Sequence, residues 1–185
     1  MRVVTAKALG ALMRFRRARE GAAAVEFALI AAPFFLLTFA LAEVTLIGFA
    51  QTSLDFAVSE TSRRIRIGEV QTQGLTAADL RADMCETMNW VLDADCEGAL
   101  FLDVDRYTSF VGVNAAAPIQ DGNFDSSDFG FNPGQPSDIV LVRSFYRWEM
   151  ITPFFSTVFA NVSSGERVLN STMMFRNEPY PVGDD

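Results

Sequence analysis

"FALIAAPFFLLTFALA", residues 27–42, contains no charged side chain, and after the single acidic Glu43 the apolar character resumes in "VTLIGFA", 44–50. The two runs make a span of about 23 residues, enough to cross a hydrocarbon core of about 30 Å at a rise of about 1.5 Å per residue. Just before them, "EGAAAVEFAL" (20–29) places Glu26 on the threshold of the apolar run. An unpaired carboxylate in hydrocarbon costs about 2.5 kcal/mol or more, so a charge kept there needs a reason. Pro33 removes one backbone hydrogen bond and is expected to kink the helix, which a membrane span tolerates.

Charge divides the chain at the same place. Residues 1–21 hold six basic side chains (Arg2, Lys7, Arg14, Arg16, Arg17, Arg19) against Glu20, net +5, while residues 22–185 hold 9 basic and 22 acidic side chains, net −13. A short basic flank stays in the cytoplasm by the positive-inside rule, so the larger C-terminal part is expected to be exported. Its acidity argues against nucleic-acid binding. Ala40-Leu41-Ala42 offers a small-x-small cleavage site before Glu43. Secretory signals usually run to about 15–30 residues, so a 42-residue leader is a poor fit.

Helical periodicity continues past the span. Ile47, Leu54, Val58, Thr61 and Ile65 form one stripe, with Asp55, Ser59, Arg63 and Arg66 away from it. One helix over about 22–67 is predicted, its second half packed on a globular head, with Gly68 as the stop. Thr76 can cap a helix over 77–92, where Leu80, Met84, Met88 and Val91 make an apolar stripe and Asp79 and Asp83 favour the N-terminal end. "ALFLDVDRY" reads as a strand with Leu100, Leu102 and Val104 on one face and Asp103 and Asp105 on the exposed other. "IVLVRSFYRWEM" (139–150) reads as a half-buried strand, with Val140, Val142, Tyr146 and Trp148 inward and Arg143 and Arg147 outward. A last strand covers 166–176, and residues 114–138, rich in Gly, Pro, Asn, Ser and Asp, read as a long loop. Strands that follow one another without helical crossovers favour an antiparallel sheet on the long helix, an α+β head.

Few residues invite chemistry. There is no histidine, which removes the commonest general base and metal ligand, and no serine-hydrolase, zinc or P-loop pattern; neither enzyme activity nor a cofactor is expected. Asp121, Asn123 and Asp125 match the opening of a calcium loop weakly, since Ser126 and Asn132 replace its glycine and closing glutamate. A solvated acidic loop is the plainer reading. Cys85 and Cys96 are the only cysteines; in an exported domain they are expected to form a disulfide, free buried thiols being the alternative. Glu43, near the far interface, is expected to be solvated and receives no role.

The basic cluster, Gly21, "AAAVEF" (22–27) and the long apolar helix match the G-x-x-x-x-E-F processing pattern of type IVb pilins and pseudopilins. With the tail "FRNEP" (175–179), the chain resembles the TadE-like family of the tight-adherence pilus machinery, most closely over residues 14–66. The resemblance implies that a prepilin-type aspartyl peptidase of the membrane cuts after Gly21, leaving Ala22 as the new N-terminus ahead of Phe27. Glu26 would then pair with the Ala22 amine of a neighbouring pilin-like subunit; the alternative is a carboxylate that snorkels to the interface. Three parts follow: a basic cytoplasmic leader 1–21, a transmembrane helix 22–50 and an exported head 51–185, periplasmic or extracellular, in a single-pass inner-membrane protein. The function implied is that of a pilin-like minor component or assembly factor, in contact with the bilayer, other subunits and assembly proteins. The alternative is an anchored exported binding module that uses the 114–138 loop and never enters a pilus.

Overall fold

The computed structural model describes residues 21–88, 95–111, 113 and 116–181. The basic stretch 1–20 and the end of the helix expected over 77–92, Val91 included, lie outside the described residues. The chain parts into two compact units, one ending at Ala42 and one running Glu43–Asp185.

The described part of the first unit is the beginning of α1 (Ala22–Arg66). It keeps its large apolar side chains on the outside, Phe27, Leu29 and Ile30 among them. Phe35 stacks on Phe39, and Thr38 donates its hydroxyl to the Phe34 carbonyl, 2.9 Å away. Alone in water such a surface would be a liability, and α1 is long and apolar enough to cross a membrane.

In the second unit α1 turns one stripe inward. Leu54, Val58 and Ile65 are fully buried, and Ala50, Ala57, Thr61 and Ser62 line up beside them, while Asp55, Ser59, Arg63 and Arg66 are exposed. Each large apolar side chain buried in this way is worth about 1.5–3 kcal/mol. The helix stops where glycine permits: Gly68 has φ +81°, and a Cβ there would strike the Tyr180 ring at 2.2 Å. A short α2 (Glu69–Gln73) follows, then α3 (Ala77–Met88), whose Leu80, Met84 and Met88 are buried. Thr76 and Asp79 cap α3 reciprocally: the Asp79 N–H donates to the Thr76 hydroxyl, and the Thr76 N–H donates to the Asp79 carboxylate. That carboxylate, taking the Thr76 hydroxyl and N–H, is held below its ordinary pKa.

A four-residue α4 (Cys96–Ala99) leads into β1 (Leu100–Tyr107). Cys85 on α3 and Cys96 on α4 are joined as a disulfide, with 5.8 Å between their Cα atoms. Closing a loop of this length contributes about 3 kcal/mol or less. Thiol labelling of unfolded, unreduced protein from its native compartment is expected to find both cysteines blocked, and reduction to free both; equal labelling without reductant would refute the pairing.

The sheet is antiparallel in the order β1–β4–β5, with β4 (Ile139–Trp148) central and β5 (Arg167–Arg176) on its other side. Val104 pairs with Val142, and Tyr146 with both Leu100 and Leu169. Val140, Val142, Tyr146 and Trp148 share the core of Leu54, Val58 and Ile65, so the sheet packs on the C-terminal half of α1 as an α+β head. The expectation of a half-buried β4 is corrected here, because its other face is also covered. Phe145 is fully buried in a second cluster with Val162 and Val168, against which Phe101, Phe124 and Phe129 pack. Phe124 and Phe129 belong to the stretch expected to be only a long loop. It contains a hairpin, β2 (Ile119–Gln120) with β3 (Asn123–Phe124), and a parallel bridge from Phe131 to Val104. Asp121 and Gly122 turn the hairpin at φ 50° and 75°, the positive values that a two-residue turn of this kind requires.

Candidate functional site

The processing pattern lies at the start of α1. Gly21 is a turn residue whose carbonyl accepts the Val25 N–H at 3.1 Å, so Ala22 is the first residue of the helix. Gly21, Ala22, Glu26 and Phe27 are all exposed, and a Cβ added at Gly21 would meet no atom within 4 Å. Among the described residues, nothing crowds a side chain at that position. The groups are exposed on a helix whose following turns are apolar.

Glu43 departs from expectation. It is 2% exposed, and its two carboxylate oxygens accept the N–H groups of Ile151 and Thr152 at 3.1 and 3.0 Å. A buried carboxylate is tolerated when such donors replace water, so Glu43 ties α1 to the chain leaving β4. Its partners are backbone groups more than 100 residues away, which no side-chain pattern announces.

The Asp103 and Asp105 reading is also corrected. Asp103 is 1% exposed; it accepts the Gly130 N–H at 2.9 Å and the Arg143 Nε–H at 2.8 Å, so it holds β1, β4 and the 116–138 segment together. Asp105 is partly buried, and burial first, then Asp103, pushes its carboxyl above the ordinary range. Of the weak calcium pattern, Asp121 is in the hairpin turn, Asn123 donates to the Asp121 carbonyl, and Asp125 accepts the Ser127 N–H. Backbone turn chemistry accounts for all three. Among the described residues, no three His, Cys, Asp or Glu side chains are grouped to hold a metal ion.

The "FRNEP" tail has a structural part to play. Asn177, 2% exposed, donates its side-chain amide to the carbonyls of Pro133 and Gln135. The Glu178 N–H donates to the Arg66 carbonyl at 2.8 Å, satisfying one of the orphan carbonyls at the end of α1. A cleft of about 500 Å³ opens at the end of β4, lined by Asp95, Trp148, Glu149, Met150 and Glu166 among others. Glu166 is engaged there by Arg147 at 2.7 Å.

The fold and exposed helix start define a class, a single long apolar helix leading into a small α+β head. The family model for TadE-like proteins matches residues 21–63, from the glycine of the processing pattern to the last turn of α1. Over those residues the chain is similar to TadE-like proteins, and α1 is its candidate membrane anchor. No curated protein and no solved structure matches the chain.

Proposed function

We propose that the chain is a pilin-like minor component or assembly factor of a tight-adherence pilus, acting through lateral packing of α1 in the membrane and contacts of the head outside. The reading is non-enzymatic. The observation that carries it is the coincidence of Gly21, Glu26 and Phe27 on an exposed helix start, followed by an uncharged run to Ala42, within the family match. In this scheme residues 1–21 are the leader, which a prepilin-type peptidase removes on the cytoplasmic side, and the head is exported. The binding-module alternative has less support, since the 114–138 stretch uses Phe124 and Phe129 to cover Phe145.

The mature N-terminus tests the proposal. Co-expressed with the cognate peptidase, the protein is expected to begin at Ala22. Gly21→Trp is expected to leave the full-length form, with cleavage reduced at least tenfold. Because a side chain at Gly21 would meet no atom of the described residues within 4 Å, a loss of trimming reports the cut site rather than misfolding. Normal trimming of Gly21→Trp would sink the peptidase reading, and an N-terminus at Glu43 would identify a secreted protein instead.

A further inference from the structure

The stretch leaving β4 is unusual for a soluble surface. From Met150 to Gly165 there are sixteen residues without a charge, between Glu149 and Glu166. A 3-10 turn (Pro153–Phe155) and the short helix α5 (Ser156–Phe159) order its first part. Phe155 is 6% exposed and packs between Phe154 and Phe159, whereas Ile151, Phe154 and Val158 are 63%, 69% and 69% exposed. All three side chains are exposed on a segment whose own anchor, Phe155, is buried.

Glu43 sets the level at which this segment lies. It is the first charged residue after the run Phe27–Ala42, whose sixteen residues rise about 24 Å of the roughly 30 Å of hydrocarbon. A helix whose span starts at Phe27 carries Glu43 to within about 6 Å of the far boundary of the hydrocarbon. Its carboxylate receives the N–H groups of Ile151 and Thr152, so the segment begins at the same depth. Val44 and Leu46, exposed just past Glu43, continue the apolar surface there.

We infer that residues 151–159 form a second membrane contact, lying in the interface between lipid headgroups and acyl chains, with Glu43 as the strut that holds them there. The inference rests on the membrane-anchor reading above. It commits to lipid because the segment is hydrogen-bonded to a residue near the far end of the span, and because sixteen uncharged residues with outward Ile, Phe and Val suit that boundary. A helix alone lets a head swing. A second contact restricts its tilt, so that the head faces neighbouring subunits in a limited set of orientations.

Reconstitution of the full chain, disulfide intact, into phosphatidylcholine–phosphatidylglycerol vesicles tests this with one added tryptophan at a time. Phe154→Trp reports the segment and Phe35→Trp the span. Phe110→Trp, exposed just beyond Tyr107 at the opposite end of the sheet, reports water. The unsubstituted protein supplies the background of Trp90 and Trp148. Expected is a Phe154→Trp signal quenched at least threefold more by lipids brominated near the headgroup than by acrylamide, with Phe35→Trp quenched by deep bromines and Phe110→Trp by acrylamide. If Phe154→Trp follows Phe110→Trp while Phe35→Trp stays in lipid, the anchor stands and the second contact is overturned. Shielding of Phe154→Trp from both quenchers overturns it too, in favour of a protein partner. Acrylamide access at Phe35→Trp removes the anchor, and the inference with it.

Discussion

Replacing Arg143 by alanine is expected to destabilise the head by about 3–5 kcal/mol, the cost of leaving a buried charge without its partner. Asp103 is 1% exposed, and the Arg143 side chain only 14%. With the guanidinium gone, Asp103 keeps the Gly130 N–H, which satisfies one oxygen and leaves the other in a site closed to water. The guanidinium also stands 6.0 Å from the ring centres of Phe129 and Phe145, so the same change loosens the aromatic cover of β4. Arg147→Ala, on the same face of the same strand, is expected to cost less than about 1 kcal/mol, because Arg147 is 42% exposed and its pair with Glu166 is screened by water. The pH dependence is also defined. The Arg147 hydrogen bond holds the Glu166 carboxyl below its ordinary range, so this contribution is present above the unfolded-state value and is lost as the pH falls through the folded one. Arg147→Ala should flatten that acid-side loss. Urea titrations of the full chain in detergent, followed by tryptophan emission, measure both variants. An Arg143→Ala cost under about 1 kcal/mol would show that the buried pair is not what holds the 116–138 segment. Asp103→Leu combined with Arg143→Met is expected to recover most of the loss, since apolar replacement of a buried pair is often neutral.

Legibility from sequence follows the range of the forces involved. The stripe of Leu54, Val58, Thr61 and Ile65, the stop at Gly68 and the Thr76 cap are local patterns, and each is where its spacing puts it. The three long strands are legible for the same reason. Alternation tells which face a residue is on but not what covers that face, so Arg143 and Asp103 read as solvent-facing although the following segment closes over them. A signal was present in that segment: Phe124, Phe129 and Phe131 are too apolar for a solvated loop, and Asp121-Gly122 is a hairpin dipeptide. Glu43 offered none, because its donors are backbone N–H groups, which every residue but proline carries.

Glu26 is the residue on which assembly and mere anchoring part company. In the scheme that the family resemblance implies, its carboxylate pairs with the Ala22 amine of a neighbouring subunit. Two unit charges at about 4 Å attract by about 4 kcal/mol at an effective dielectric constant near 20. If desolvation cancels half of this, the remainder is still more than tenfold in association at each contact. Glu26→Gln keeps the size and cannot neutralise an ammonium group; Glu26→Ala lengthens the apolar run and should insert at least as well. Both variants are expected to be trimmed after Gly21 and to be stable, because Glu26 is exposed on its helix. Both are expected to lose membrane crosslinks to pilin-like partners and fibre production by tenfold or more. The binding-module alternative expects neither effect, and damage instead from changes on the exposed 114–138 surface. Deleting that stretch would uncover Phe145, so Gln120→Ala with Asp128→Ala, both exposed, is the cleaner comparison. Normal crosslinks and fibres in Glu26→Gln, beside a folded but inactive Gln120→Ala/Asp128→Ala protein, would transfer the function from the helix to the head.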